Sequence, residues 1–426
     1  MPGSRRVAAR AALLTVALAL AVTTGCTGAP ARTPPPTPDP APAPVPAPTG
    51  TRAPGPAPAP APSGPYGLPA RIPDAPGLPG WAHSVGFAAD GSGFTLLVQC
   101  VTDPARPAEG FCRQQVAVLD AGARGWALRA TPLPEIAPSR GVSAQLLVLG
   151  SGRALVEDGG GEEPERSWFT RDGGRSWREV DRRTVGTAPE IPAGAVLTTA
   201  CAAPPGPVTP DACVRERLVV VSPGDGRRRA LARVPALGAH PQPAPVAEPD
   251  GSWWVSGTDP VTGRVAVAVS RDGGRRWTTG PLPSTATTPG HGVAVAVGPD
   301  AVYAAELGEV RGGAPVMNPL RALHRSLDGG RSWTRTWTTG PAAEPRSLQG
   351  LPVPGPGGRV TVGAALETYG SADGGRTFRR TGAGTSWVRR TGVGLLKEED
   401  RCQYLTSRDG VRWAEFRLAC EDPPGR

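Results

Sequence analysis

Short runs of alternating apolar and polar residues, separated by glycine-containing turns, follow the first 80 residues of the chain. In one representative stretch, Ala244–Ala247 is a weak first run, and Asp250-Gly251 is typical of a tight hairpin turn. The runs Trp253–Gly257 and Arg264–Ser270 follow, and Trp277–Gly280 begins after another glycine-rich turn. This order predicts a unit of four short antiparallel strands.

The turn before the last run of each unit contains a repeated sequence, Ser/Thr-x-Asp-x-Gly-x-x-Trp. Three copies are complete, one has Phe in place of Trp, and one is a residue shorter. Two degenerate copies are Asp120-Ala121-Gly122 with Trp126, and Ser222 with Asp225-Gly226. The residues of the better copies are Thr170, Asp172, Gly174, Trp177, Ser270, Asp272, Gly274, Trp277, Ser326, Asp328, Gly330, Trp333, Ser371, Asp373, Gly375, Phe378, Ser407, Asp409 and Trp413.

This repeat resembles the Asp-box, or BNR repeat, of sialidases, sortilin-type receptors, some glucanases and many extracellular propellers. The resemblance covers about residues 80–420 and implies a β-propeller. The residue types suit a hairpin turn, because the hydroxyl and the carboxylate can accept turn N–H groups and glycine supplies positive φ. The Trp can pack between neighbouring sheets. We therefore expect the Asp residues to be structural rather than catalytic.

The aspartates of the seven copies lie at positions 120, 172, 225, 272, 328, 373 and 409. Each interval is about the length of one four-stranded blade. The sequence therefore predicts an all-β, seven-bladed propeller over residues 81–422. Six blades is the alternative, because two copies are degenerate and the last interval is short.

Residues 1–25 are typical of an export signal, with Arg5 and Arg6 before the apolar segment Ala11–Val22. That segment is too short to span a bilayer as a stable helix. Thr23-Thr24-Gly25-Cys26 resembles the lipobox of bacterial lipoproteins, although Thr23 departs from its usual Leu or Val. The resemblance implies a lipid on Cys26 that anchors the protein at the outer face of the cytoplasmic membrane. Ordinary secretion is the alternative, and the Sec or Tat route stays open.

Residues 26–80 alternate Pro with Ala, Thr and Gly. Such a segment buries too little apolar surface to fold, so it is predicted to be a disordered, extended spacer. Without Cys26, six cysteines remain, and their spacing suggests the pairs Cys100–Cys112, Cys201–Cys213 and Cys402–Cys420. Disulfides in an oxidising compartment would agree with export. A zinc site is not expected, because the sequence has no Cys-x-x-Cys motif.

The net charge of +9 comes almost entirely from arginine, since Lys397 is the only lysine. The arginines are scattered through turns and form no basic run, so a nucleic-acid partner is not expected. Every Gly-Gly pair lies in a predicted hairpin rather than before a helix, so no phosphate-binding cofactor is expected either. The expected partners are the membrane, through Cys26, and a glycan or an extracellular protein. We expect a monomer.

The second turn of each predicted blade lies on the face opposite the repeats. Several of these turns are long: 101–111, 157–166, 202–212, 258–263 and 307–322. Long loops on a rigid scaffold often bind ligands, so this face is predicted to carry the function. Acidic residues gather there, as solvated charge or as a site for a cation: Asp103, Glu157, Asp158, Glu162, Glu163, Asp259, Glu306, Glu309, Glu398, Glu399 and Asp400.

Resemblance to sialidases implies a glycosidase alternative with a tyrosine nucleophile, a glutamate partner and three substrate-binding arginines. The sialidase signature, an aromatic residue before Arg-Ile-Pro, is matched only by Arg71-Ile72-Pro73 without its aromatic residue. Tyr303, with Glu306 and Glu309 nearby, is the one acceptable nucleophile. We therefore favour a non-catalytic binding or scaffold module, with a sialidase-like exo-glycoside hydrolase as the alternative.

Overall fold

The computed structural model describes residues 64–101, 110–137, 141–159, 165–203, 213–284, 292–308, 319–383 and 387–421. These residues form seven four-stranded sheets, the blades of a β-propeller. The predicted all-β class and the count of seven blades are confirmed, and the alternative of six is wrong. Within the described part of the chain, no helix has the length and apolar character needed to cross a bilayer.

The 28 strands fall into the blades in chain order. Blades 1 to 3 contain β1 (Trp81–Phe87), β2 (Gly93–Val101), β3 (Phe111–Leu119), β4 (Ala127–Ala130); β5 (Gln145–Gly150), β6 (Arg153–Glu157), β7 (Ser167–Thr170), β8 (Arg178–Glu179); β9 (Thr184–Ala188), β10 (Val196–Ala203), β11 (Arg215–Val221) and β12 (Arg228–Leu231). Blades 4 and 5 contain β13 (Gln242–Pro243), β14 (Trp253–Thr258), β15 (Val265–Ser270), β16 (Thr278–Pro281); β17 (Gly292–Val297), β18 (Val302–Leu307), β19 (Leu320–Ser326) and β20 (Thr334–Thr338). Blades 6 and 7 contain β21 (Gln349–Pro354), β22 (Val360–Gly363), β23 (Glu367–Ser371), β24 (Arg379–Ala383); β25 (Trp387–Thr391), β26 (Gly394–Asp400), β27 (Gln403–Ser407) and β28 (Ala414–Arg417). Short 3-10 turns occur at Gly64–Tyr66 and Pro356–Gly358.

Blade 3 departs from the predicted order of strands. Its strand order is β10-β11-β12-β9, so the strand beside β12 precedes the other three in the chain and pairs with it in parallel. Pro189 and Pro192 lie between β9 and β10 and have no N–H to donate, which explains why no regular strand forms there. In blade 4, the first strand is Gln242–Pro243, two residues ahead of the predicted Ala244–Ala247.

Alternation of strand direction separates the turns onto two faces. The first and third turns of a blade lie on one face, which we call the box face. The second turns lie on the opposite face, which we call the loop face. In blade 3, Arg178 of β8 donates to the Asp225 carbonyl at 3.0 Å, so the degenerate copy at 222–227 also belongs to the box face.

The third turns have the predicted hydrogen bonds. In blade 2, the Gly174 N–H donates to Thr170 Oγ1 at 3.0 Å, and the Ser176 N–H donates to Asp172 Oδ1 at 3.0 Å. The Ser176 hydroxyl and N–H lower the pKa of Asp172 to about 2. Gly174 has a φ of +73°, which favours glycine. Trp177 Nε1 donates to the Ala130 carbonyl of blade 1 at 3.1 Å, and Trp277 Nε1 donates to the Arg233 carbonyl of blade 3 at 2.9 Å, so these two turns also join neighbouring blades.

Residues 64–80, which the sequence assigns to the spacer, belong to the same compact unit as the propeller. Ile72 is buried in the core beside Phe87, Tyr404 and Phe416. Trp126 Nε1 donates to the Pro73 carbonyl at 3.0 Å. The chain therefore packs on the propeller before β1 begins, because Ile72, an apolar residue in this Pro-rich segment, is buried in the core.

The three predicted disulfides are confirmed: Cys100–Cys112, Cys201–Cys213 and Cys402–Cys420. The first joins β2 to β3, and the second joins β10 to the residue two positions before β11. The third ties the turn after β26 to the chain beyond β28. Three disulfides are typical of a protein that works outside the cytoplasm.

Candidate functional site

Tyr303, the candidate nucleophile, lies on β18 with only 1% of its surface exposed. It packs in the core between blades 5 and 6, near Leu323 and Phe378. Its hydroxyl donates to the Gly358 carbonyl at 3.4 Å, and burial raises its pKa. A phenol buried between two blades is closed off from a bound sugar, so the geometry gives no support to this role.

Glu306 is also on β18 and is 2% exposed. Its carboxylate accepts hydrogen bonds from Ser284 Oγ at 2.9 Å and His324 Nε2 at 3.3 Å. Burial raises the pKa of Glu306, but the hydrogen bonds from His324 and Ser284 outweigh burial and lower it. Glu306 is three positions after Tyr303 on the same strand, so their side chains point to opposite faces of the sheet. Glu309 lies outside the described residues.

Most of the described acidic residues of the loop face form hydrogen bonds or ion pairs with nearby residues. Glu157 accepts from Ser167 Oγ at 3.1 Å and pairs with Arg228. Asp259 accepts the N–H groups of its own turn, the nearest from Thr262 at 2.7 Å. Among the described residues, no three His, Cys, Asp or Glu side chains are placed to hold a metal ion. Glu157, Asp259, Glu399 and Asp400 therefore act as turn caps or ion-pair partners, whereas Asp103, Glu162 and Glu163 lie outside the described residues.

The loop face carries exposed apolar side chains from five blades, which sequence reasoning missed. They lie at the ends of second turns or at the start of a first strand. Val261 is 90% exposed and Leu366 is 75% exposed. The set is Val101, Val214, Val261, Leu366 and Trp387. We call these five residues the apolar rim.

A cavity of about 750 Å³ opens at the box face. Its walls come from the first turns of blades 1, 2, 4 and 7 and from the segment before β10 in blade 3. Five blades meet only near the propeller axis, so the cavity is axial. Pro65, from the segment that precedes the first blade, forms part of the wall.

A buried ion pair in the cavity wall links blades 4 and 7. Arg390 Nη2 donates to Glu248 Oε2 at 2.5 Å, and both side chains are more than nine-tenths buried. The Val297 N–H of blade 5 donates to the same oxygen at 3.0 Å. Burial raises the pKa of Glu248 despite the Arg390 charge beside it. Tyr66 lies close enough for both charges to affect its pKa, which burial raises, and it donates to the Gly298 carbonyl at 3.0 Å.

Neither the family models nor the curated proteins include a match to this chain. Solved structures with a similar fold include YCF48 from Cyanidioschyzon merolae, at 14% identity over 79% of this chain and 96% of that chain, with a TM-score of 0.36. YCF48 bound to D1 peptide has 16% identity over 84% and 87%, with a TM-score of 0.29. A GH74 xyloglucanase from Xanthomonas campestris has 16% identity over 83% and 69%, with a TM-score of 0.36. This likeness is one of fold alone.

Proposed function

We propose that the protein is an exported, membrane-anchored binding module that holds a protein or peptide ligand on its loop face. The apolar rim carries this proposal. Large exposed apolar patches mark surfaces that contact a partner, and five blades each contribute an exposed apolar side chain to this face. Val101 and Val214 stand beside the disulfides Cys100–Cys112 and Cys201–Cys213, which hold the bases of their loops. A rim fixed in this way binds with a smaller loss of conformational freedom.

The rim suits a peptide or protein better than a sugar. Its exposed members are mainly aliphatic, whereas glycan recognition needs polar groups that meet hydroxyls in fixed directions. The glycosidase alternative requires an accessible tyrosine, and Tyr303 is buried. Binding therefore stands as the function that the described residues support best.

Replacement of Val261 or Leu366 by Asp should lower the affinity for a peptide ligand at least tenfold, because a charge would be desolvated in an apolar contact. The unlipidated full chain would be screened on arrays of random peptides and of glycans, and its strongest peptide hit titrated. Leu327→Asp is the matched control, since Leu327 is 71% exposed on the box face. Equal affinities for Val261→Asp, Leu366→Asp and Leu327→Asp would contradict the proposal, as would strong hits on glycans alone.

The anchor is a separate part of the proposal and rests on the lipobox-like sequence, which lies outside the described residues. Cys26→Ser should move the protein from the membrane fraction to the soluble exported fraction, because the thioether to the lipid can no longer form. Fractionation with labelled fatty acid measures both properties, and Thr24→Ser serves as the control. A Cys26→Ser protein that stays in the membrane fraction would exclude lipid anchoring at this residue.

A further inference from the structure

The axial cavity has the size and the lining of a small-molecule site. Cavities of roughly 300–1,000 Å³ hold small organic ligands in many proteins, and this one has a volume of about 750 Å³. Val148, Ile191, Val246 and Trp253 give it apolar walls. It lies on the box face, so it is distinct from the apolar rim on the loop face.

The carboxylates and the arginines of the cavity wall differ in how many hydrogen-bond partners they have. The acids are committed: Asp90 accepts the Ser92 N–H at 3.0 Å and its hydroxyl at 2.6 Å, and Glu248 is bound to Arg390. Two arginines of the wall, Arg153 and Arg408, have no hydrogen-bond or ion-pair partner among the described residues.

Arg153 is exposed and Arg408 is half-buried, so water can solvate both, whereas Arg390 has a buried donor without an acceptor within the described ranges. Its side chain is 8% exposed, and its buried Nε has no hydrogen-bond partner in the part of the chain that the structure describes. A buried N–H without an acceptor costs free energy that an acceptor from a ligand would restore. Three arginines from blades 2 and 7 thus offer donors at one cavity, whereas the carboxylates there are already occupied.

We propose that the axial cavity binds a small organic anion, with its apolar body against Val148 and Trp253 and its carboxylate towards Arg153 and Arg408. Arginine suits this role because its planar donors match the two oxygens of a carboxylate. Pro65, from the segment that precedes the first blade, forms part of the wall.

The test uses octanoate and its uncharged isostere octanamide as probes. Both are titrated by calorimetry into the unlipidated full chain. We expect octanoate to bind at least tenfold more tightly than octanamide. The double variant Arg153→Gln with Arg408→Gln should weaken octanoate at least tenfold and leave octanamide within twofold, because charge-assisted hydrogen bonds are lost and the apolar contacts stay.

Arg171→Gln is the matched control. Arg171 follows Thr170 in its turn as Arg408 follows Ser407. It is exposed, has no side-chain partner among the described residues, and is not part of the cavity wall. Octanoate should bind this variant within twofold of the wild type. Equal affinity for the two probes, an equal loss in Arg171→Gln, or the lack of saturable octanoate binding at 1 mM would each overturn the proposal.

Discussion

Replacement of Arg390 by methionine should lower the free energy of unfolding by about 3–5 kcal/mol, because it leaves the Glu248 carboxylate buried without its counter-ion. The pair bridges blades 4 and 7, whose partners are 142 residues apart. The strands of blades 4 and 7 lie in separate sheets, so strand pairing does not replace the connection that is lost with the ion pair. Urea unfolding of the full chain, followed by tryptophan fluorescence, measures the change.

The loss of unfolding free energy in Arg390→Met should depend on pH, and the protonation of the buried Glu248 carboxyl determines the direction. Burial already raises the pKa of Glu248 above 4.5, and removal of the Arg390 charge raises it further. A carboxyl with a raised pKa in the folded state binds more protons there, so the free energy of unfolding falls as pH rises through that pKa. Arg390→Met should thus lose most at pH 7 to 8 and least near pH 4.5.

A second substitution separates the buried charge from lost packing. Arg390→Met combined with Glu248→Leu should be more stable at pH 7 than Arg390→Met alone, because paired removal leaves no unpaired ion. A loss below about 1 kcal/mol in the single variant, with no change between pH 4.5 and 8, would show that Glu248 is hydrated rather than paired.

The repeat made most of the architecture predictable, because each copy has a fixed chemical purpose. A hydroxyl, a carboxylate and two glycines at set spacing can satisfy one turn, and such a turn needs a strand on each side. Thr170 and Asp172 bind turn N–H groups as that reasoning requires. The intervals between copies then give the number of blades.

Features that depend on distant parts of the chain were beyond this reasoning. The Glu248–Arg390 pair and the axial cavity assemble from first turns of separate blades, and no short-range pattern marks them. Pro189 and Pro192 indicate that no regular strand forms between β9 and β10. They do not predict that β9 pairs in parallel with β12. The position of Tyr303 on its strand follows from the alternation of residues. Its burial does not, because that depends on residues of the neighbouring blade.

The ring of blades is closed by a clasp between the two ends of the described chain. The Ala75 N–H donates to the Arg417 carbonyl at 2.8 Å, and the Ala419 N–H donates back to the Ala75 carbonyl at 3.1 Å. The Cys420 N–H donates to the Pro76 carbonyl at 3.0 Å. Cys420 is in turn joined to Cys402 within blade 7. The Cys402–Cys420 disulfide therefore holds the segment 419–420, which closes the ring through its hydrogen bonds to Ala75 and Pro76.

Removal of this disulfide by Cys402→Ala with Cys420→Ala should cost about 5 kcal/mol of the free energy of unfolding. About 3 kcal/mol is the chain-entropy contribution of a loop of this length, and the rest comes from weakened clasp hydrogen bonds at about 1 kcal/mol each. Hydrogen exchange should accelerate at residues 75–81 and 418–421, because the ring opens there first.

The control is Cys201→Ala with Cys213→Ala, whose loop spans 12 residues against 18 for the clasp disulfide. The two loop lengths differ by only a few tenths of a kcal/mol in chain entropy. Strands β10 and β11 stay paired along their length without the bond, so this variant should lose only about 3 kcal/mol. Losses that agree within about 0.5 kcal/mol, with unchanged exchange at residues 418–421, would mean that the packing of Ile72 and its neighbours closes the ring without the disulfide.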